Sequence, residues 1–548
     1  MIKSALKYLR WLYAHSEGVR GRLVANVLLG ILSVGLNLAF IFVCKRIVDI
    51  ATGVVQGNII QYTVIVLVLI LLRLGVTALN VRIEALAGSK LNFIIRQDLY
   101  SSLLNSEWAG KELRHSGDTL NRLETDVNSV VNVIASDAPQ FITTLVQLVA
   151  ATVFMCMMQW KLALLLVIMT PLFLGFSKLF FRKLRVMTRG IRDTESQVQS
   201  HLQESLQHRV VIKSMESESR MEDRLEELQS SEYDQVVRRT RLNVFARTIV
   251  GAAFSFGYIA AFLWGAFGIW KGTLTFGIMT AFLQLVSQIQ RPVVNMTHQI
   301  PSFVNATASI DRLMELEDAP RSETGAGHYM DGPAGIKVEN LSFHYPDSVE
   351  PVIKDLSFDF PPGSRTAIIG ETGVGKSTLV RIMLALLKPD KGEVYIYDKD
   401  SKLRVGARTR CNMVYVPQGN SLFSGTIRDN LHIGDPSADD AKMWAALDTA
   451  AAEFVRELPD GLDTICGEGG AGLSEGQAQR IAIARGLLRP GSILLLDEFS
   501  ASLDPETEQR LMDNLSKEAA GKTMIFIAHR EKVMAWCERT LNLSGGLS

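Results

Sequence analysis

Six runs of about twenty mostly apolar residues, near 23–43, 60–81, 139–159, 162–181, 249–270 and 274–291, crowd into the first 310 residues of a 548-residue chain. At a rise of about 1.5 Å per residue, each run makes a helix as long as the ~30 Å hydrocarbon core of a bilayer. Helices of water-soluble proteins usually run roughly 8 to 20 residues, so six such runs in half a chain read as membrane spans rather than a soluble core. With 57 basic and 57 acidic side chains and 47% hydrophobic residues, the chain is neither disordered nor steered to nucleic acid by net charge. Cys44, Cys156, Cys411, Cys466 and Cys537 are odd in number and share no close spacing, which indicates neither a disulfide framework nor a zinc knuckle.

The loops orient the spans. The stretch 182–247 carries 13 Lys and Arg residues, whereas the turns Gln159-Trp160-Lys161 and Lys271-Gly272-Thr273 are minimal. By the positive-inside bias the long segments and both termini are cytoplasmic, in a cell (inner) membrane, and the short turns face outward. Residues 1–20 mix Leu6, Leu9, Trp11, Leu12 and Tyr13 with Lys3, Lys7 and Arg10, as suits a helix lying in the membrane interface. The next apolar run is too long for a signal peptide and has no small-residue cleavage site. No Gly or Pro falls between Ile191 and Val250, so long helices are expected to project into the cytosol, and likewise from Val81 to Asp137 with interruptions at Gly88, Gly110 and Gly117.

Two polar features stand out inside the spans. Arg73 sits in the second run, where a cation either faces a bundle interior or water-filled cavity, or snorkels and pairs structurally. In the sixth run Gln284, Ser287, Gln288, Arg291, Asn295 and His298 recur at spacings of mostly three or four. They line one helical face, which either borders a substrate cavity or packs on a symmetry mate.

A polar stretch, 318–335, with Pro320, Gly325, Gly327, Gly332 and Pro333 reads as a linker. A domain of alternating strands and helices follows at 336–548, behind a membrane domain at 1–317. Gly370-Glu371-Thr372-Gly373-Val374-Gly375-Lys376-Ser377-Thr378 matches G-x-x-x-x-G-K-[ST] between an apolar strand and a helix. Glycines turn backbone N–H groups toward a polyphosphate, Lys376 reaches the β- and γ-phosphates, and the Ser377 hydroxyl can ligate Mg²⁺. A second apolar strand ends in Asp497-Glu498 and a third in His529. Adjacent acids at a strand end point to opposite faces, so one can hold the magnesium shell while the other polarises water. Alone, His529 would be an ordinary loop histidine; three strand ends converging on one site favour a contact to the γ-phosphate.

The run Leu473-Ser474-Glu475-Gly476-Gln477-Ala478-Gln479-Arg480 resembles the signature helix of ATP-binding-cassette ATPases. The order of motifs is similar too: Tyr345, the glycine loop, Val416-Pro417-Gln418, the signature, Asp497-Glu498, Ala501-Ser502-Leu503-Asp504 and His529. Six spans ahead of one cassette resemble the half-transporter exporters of that superfamily, and the likeness extends to Ser116-Gly117-Asp118, Arg122 and Asp126. The resemblance implies an α-helical six-span transmembrane domain with long cytoplasmic helices, then an α/β P-loop ATPase domain with an antiparallel β subdomain and a helical subdomain. It implies ATP and Mg²⁺ as cofactors. Gly370, Gly373, Gly375, Lys376, Ser377 and Thr378 would hold the phosphates, with Tyr345 on adenine unless it is an ordinary strand aromatic. Ser377, Gln418 and Asp497 would sit at the metal, Glu498 would be the catalytic carboxylate, His529 the γ-phosphate switch, and Gln418 would also touch the attacking water. Ser474, Gly476 and Gln477 would close over ATP on the opposite cassette, with Asp504 also at the nucleotide. Short helices near 110–120 and 205–216 would seat on the cassettes.

The expected activity is thus ATP-driven export or lipid flipping by a dimer, most simply a homodimer, through alternating access. An amphipathic lipid, peptide or drug would be the cargo. An ATP-gated channel, a regulatory subunit or one half of an obligate heterodimer are the alternatives. The sequence departs from the family pattern in three places. Glu475 stands where a glycine is usual and puts a carboxylate near the docking γ-phosphate; Gly467-Glu468-Gly469-Gly470 only partly matches the exporters' charged loop; and 19 residues follow His529, which predicts sparse terminal contacts between cassettes.

Overall fold

The structure, a computed structural model, describes residues 2–107, 116–318, 320–322, 325–345, 348, 350–467, 472–518 and 521–544. These form two compact units, residues 1–100 with 118–317, and a second built mainly from 318–548.

The first unit is helical throughout. Helix α1 (Ile2–His15) precedes α2 (Arg20–Ala51), α3 (Ile59–Asn105), α4 (Ser116–Asn121) and α5 (Val127–Asn132). Then come α6 (Ala138–Gln207), α7 (Arg209–Ser214), α8 (Glu218–Trp270) and α9 (Phe276–Glu317). Two π-helical turns, Arg122–Asp126 and Val133–Asp137, flank α5. Four helical stretches among the described residues, 20–51, 59–105, 118–160 and 218–270, are long and apolar enough to cross a membrane. The run 162–181 is helical as well, as is 274–291 from Phe276 onward. Most side chains of the first lie outside the described residues, and the second is diluted by Gln284, Ser287 and Gln288. Six crossings are therefore not established by these helices.

The short turns between long helices fall where expected. Gln159 leaves helical geometry at φ −159°, ψ 96° and kinks α6, and Gly272 at φ 70° reverses the chain between α8 and α9. One expectation needs correction: α3 runs unbroken through Gly88, because helical neighbours outweigh the roughly 1 kcal/mol cost of one glycine. The Gly- and Pro-free stretch 191–250 forms long helices as expected, broken at His208 and at 215–217 to set off the short α7. That helix lies inside the predicted 205–216, and α4 overlaps the predicted 110–120, of which residues 110–115 lie outside the described residues.

Ile41, Met155, Ala261, Phe282 and Leu285 pack α2, α6, α8 and α9 into one apolar core. Nearer the domain's polar end, Asp126 is 4% exposed. Its carboxylate accepts from Arg312 Nε at 2.7 Å and Ser309 Oγ at 2.9 Å. Arg122 beside it pairs with Asp118 and Glu315 at 3.0 Å each. α1 is clasped to the end of α9: Trp11 Nε1 donates to Glu317 at 2.7 Å and Tyr8 OH to Asp311 at 2.7 Å.

The second unit holds β1 (Gly335–Phe343), β2 (Ile353–Phe360), β3 (Arg365–Ile369), α10 (Lys376–Met383), β4 (Lys391–Tyr397), β5 (Lys402–Arg404), β6 (Met413–Val416) and β7 (Gly425–Thr426). It continues with α11 (Ile427–His432), α12 (Asp440–Thr449), β8 (Ile465–Cys466), α13 (Glu475–Leu488), β9 (Ile493–Asp497), α14 (Pro505–Glu518), β10 (Thr523–Ile527), α15 (Glu531–Trp536) and β11 (Arg539–Asn542). An antiparallel sheet, β2-β1-β4-β5, accompanies a parallel one, β11-β3-β10-β9-β6. β9 and β10 are buried at every position, which is why they read as unbroken apolar runs. Helices α11 to α14 pack on one apolar core against β6, β9 and β10.

Candidate active site

In a parallel sheet the ligand crevice lies beyond the carboxyl ends of the strands. Here β3, β10 and β9 are adjacent, with Ile368 opposite Ile527 and Ile527 opposite Asp497. The ladder therefore brings the glycine loop, His529 and the Asp-Glu pair to one edge. Gly370, Gly373 and Gly375 have φ of 150°, 89° and 105°, backbone that a side chain would strain. Gly375 caps α10, so the loop's N–H groups open at a helix amino end. Lys376, only 7% exposed, folds back over the loop and donates to the carbonyls of Gly370 at 2.8 Å and Glu371 at 3.0 Å. Ser377 and Thr378 follow in the first turn of α10. Ser377 Oγ lies 3.4 Å from Asp497 Oδ2, and Thr378 Oγ1 lies 3.1 Å from the Tyr345 hydroxyl. Tyr345 stands edge-on to Phe343, with ring centres 5.0 Å apart.

The two acids separate as strand alternation predicts, helped by a backbone feature invisible in the sequence. Glu498 adopts φ 46°, and its N–H donates to Ile527 O at 3.1 Å. Asp497 stays on the strand and accepts from Tyr415 OH at 3.3 Å. Burial pushes its carboxyl above the usual carboxylate range; the neighbouring Glu498 adds to this, and bonds from Tyr415 and Ser377 oppose it. Glu498 turns to the other side. Its Oε2 accepts from Gln418 Nε2 at 2.6 Å, and its Oε1 lies 3.3 Å from His529 Nε2. Gln418, Glu498 and His529 thus form one chain of contacts beside the Lys376–Ser377–Asp497 cluster.

The signature residues are organised within their own helix. Ser474 caps α13, accepting from Gln477 N at 3.2 Å, while its own N–H donates to Gln477 Oε1 at 2.9 Å. A Cβ on Gly476 would fall 2.7 Å from Ser502 O, so only glycine lets the helix sit on the turn after β9. Glu475 is exposed in the first turn. Asp504 caps α14, accepting from the N–H groups of Glu506 at 3.2 Å and Thr507 at 3.0 Å; the Thr507 N–H holds its carboxyl low. Of the partly matching loop, 468–470 lies outside the described residues, as do 545–548 at the end.

Three participants escape the sequence reading. Gln479 Nε2 donates to Glu498 O at 3.2 Å and its Oε1 accepts from Ser502 at 2.8 Å, joining α13 to the turn after β9. Ser544 Oγ accepts from Glu371 N at 2.8 Å, and Tyr415 reaches Asp497 from β6. Only the alternation of β6 hinted at Tyr415; Gln479 and Ser544 carry no local signal.

Residues 23–293 match the family model described as the ABC transporter transmembrane region, and 353–501 match that of the ABC transporter itself. An ATP-dependent lipid A-core flippase of Pseudomonas fluorescens is 30% identical over 450 residues, covering 80% of this chain and 73% of that protein. A multidrug resistance ABC transporter ATP-binding and permease protein of Lactococcus lactis is 31% identical over 423 residues, covering 76% and 71%. A bacterial Atm1-family ABC exporter solved with ATP bound superposes with a TM-score of 0.78 at 24% identity, over 96% of this chain and 94% of that one, a likeness of fold. With the glycine loop and the paired acids on one sheet edge, and both halves matched in order, this chain belongs to the ABC transporter family.

Proposed function

We propose that two copies of this chain form an ATP-driven exporter or lipid flippase of the cell membrane, with residues 1–317 as membrane domain, 318–335 as linker and 336–548 as nucleotide-binding domain. The observation that carries this is the meeting of Lys376, Ser377, Asp497, Glu498, Gln418 and His529 at adjacent strand ends, in a chain that also bears membrane-length helices. The relatives named as a flippase and as a multidrug resistance transporter support outward movement of amphipathic cargo. The six apolar runs would supply six crossings, and the basic loop at 182–247 supports placing both termini and the cassette in the cytosol.

Glu498 has the geometry of a general base. Gln418 and His529 hold its carboxylate from two sides, so that a water placed between it and the γ-phosphate loses its proton to a fixed acceptor. Lys376 and the loop N–H groups take the phosphate charge, Thr378 anchors Tyr345 beside the loop for adenine, and Asp504 sets the start of α14. Mg²⁺ would fit the Ser377 hydroxyl and Asp497 carboxylate, hard oxygen donors that lie 3.4 Å apart at a largely buried site. Among the described residues no cluster of three His, Cys, Asp or Glu could hold a metal by itself, so phosphate and water oxygens would complete the shell, with Gln418 alongside. Bound there, the ion offsets the charge of the β- and γ-phosphates. Ser474, Gly476 and Gln477 present the amino end of α13 to nucleotide on a second copy. Closure of the two cassettes then drives the helices between inward- and outward-open states.

Glu498→Gln tests this. ATP turnover should fall about 10²- to 10⁴-fold while ATP binding persists and dimerisation on ATP increases. Turnover at the wild-type rate removes Glu498 from the role of base.

A further inference from the structure

Glu498, the proposed base, sits in backbone that is costly for a residue with a Cβ, at φ 46°. Strain of this kind persists only where the surroundings over-determine it, and it collects where chemistry is done. The Glu498 N–H is tied to Ile527 O on β10 at 3.1 Å. Its carbonyl accepts twice, from Ala501 N at 3.1 Å within the turn and from Gln479 Nε2 at 3.2 Å on α13. Gln479 is 2% exposed, and its Oε1 accepts from Ser502 Oγ at 2.8 Å. One buried amide therefore grips both ends of the turn 498–502.

The rest of the turn is clamped from elsewhere. Arg530, next to His529, donates to Ala501 O at 3.1 Å, to Leu503 O at 3.2 Å and to Glu508 at 3.2 Å. Phe499 is buried against Phe526, with ring centres 5.4 Å apart. These contacts fix the turn as a body, whereas Gln479 reaches the carbonyl of Glu498 itself. Turning that carbonyl changes ψ of Glu498 and redirects the carboxylate that Gln418 and His529 hold from two sides. Shut from water, the amide of Gln479 cannot exchange its bonds for solvent without cost, and it has almost no surface to offer a nucleotide.

We infer that Gln479 is a positioning residue for ATP hydrolysis, acting through Glu498 by fixing the left-handed backbone that aims its carboxylate. This rests on Glu498 being the base but can fail separately. Steady-state ATPase of the full chain in lipid nanodiscs would be compared for wild type, Gln479→Met, Ser502→Ala, Glu498→Gln and the Gln479→Met, Glu498→Gln double variant. Methionine keeps the volume of glutamine and cannot donate. Gln479→Met should lower kcat about 10- to 100-fold, as misplaced groups do, with the KM for ATP unchanged. Ser502→Ala frees only the far end of the amide and should lower kcat about threefold at the same KM. In the Glu498→Gln background Gln479→Met should cost less than about twofold more, because aim no longer matters once the base is gone. ATP should dimerise the double variant as it does Glu498→Gln. A further fall of about tenfold in that background would mean that Gln479 acts apart from Glu498. A raised KM at constant kcat would assign it to nucleotide binding, and lost dimerisation to the docking of α13; each of these overturns the proposal, as does wild-type kcat in Gln479→Met. If Gln479→Met does not fold, Ser502→Ala carries the test, and an unchanged kcat there overturns it. Wild-type turnover in Glu498→Gln would instead strike the assignment of the base.

Discussion

The two halves of the chain place their polar groups by opposite means. In the cassette, Asp497 and the loops carrying Lys376 and His529 stand at the ends of adjacent strands in register, so a backbone ladder fixes their spacing before any side chain packs. In the helical unit, Arg73, Asn37, Gln147 and Gln288 come from four helices joined by side-chain packing alone. A ladder tolerates loss of one side chain at its end. A helix pair held by a buried ion pair does not.

Removing Arg312 should break that contrast most sharply. Its guanidinium holds the buried Asp126 together with Ser309, joining the π-helical turn before α5 to α9. Arg312→Leu leaves the Asp126 carboxylate buried and unpaired, for which losses of roughly 3–5 kcal/mol are usual. Arg312 is about half exposed, so water can reach part of the gap and about 2–3 kcal/mol is expected. Thermal unfolding in detergent should show a large fall in midpoint, and Asp126→Asn in the same protein should recover much of it. If Arg312→Leu is no less stable than wild type, the helical unit is held by its apolar core alone.

The same contrast sets what the sequence discloses. Asp497, Glu498 and His529 were legible because they follow the ends of apolar strands, and Lys376 because a strand-loop-helix context with glycines has few other uses. Glu498's left-handed backbone was not, nor was Gln479's bond to Glu498 O, because both depend on contacts between distant segments. In the helical half, long apolar runs announced helices of membrane length, and Arg73 stood out as an anomaly. Its partner Asn37 lies 36 residues earlier on another helix and left no periodic trace. The break at His208 was foreshadowed only by the family resemblance: every residue from 191 to 250 tolerates a helix, and α7 buries no residue of its own.

Asp497 sharpens the comparison on the cassette side. Burial first and Glu498 second raise its carboxyl pKa in the folded protein. Between the ordinary carboxylate value and that raised value the folded state keeps a proton the unfolded chain has lost. Stability contributed by this group therefore falls as pH rises through that window and stays lower above it. Asp497→Asn should raise the melting midpoint of the nucleotide-free protein at neutral pH by about 2–4 °C, equivalent to ~1 kcal/mol in a unit of this size. The gain should shrink as pH drops toward about 4. With Mg²⁺ and ATP present the order should reverse, because only the carboxylate offers the ion a charge. An asparagine variant less stable without nucleotide at neutral pH would mean that the bonds from Tyr415 and Ser377 outweigh burial.

The smallest effect is expected at Glu475, where both halves of the proposed dimer would meet. Its carboxylate occupies the exposed first turn of α13 behind the Ser474 cap, where the helix dipole stabilises a negative charge by about 0.3–1 kcal/mol. In the proposed dimer that same amino end would be presented to the γ-phosphate of a second copy, so the acid would compete with the ligand for the dipole. Glu475→Gly should therefore cost under about 1 kcal/mol of stability, because the Ser474–Gln477 capping box remains to hold the first turn. ATP turnover should be equal or higher, with the apparent KM for ATP lowered, since the anion meets N–H groups without a neighbouring charge. The measurement is steady-state ATPase at several salt concentrations. The advantage of the glycine variant should diminish as salt screens the exposed carboxylate. A severalfold fall in rate would mean that Glu475 makes a contact closure needs, and that this chain has adapted its signature to the acid.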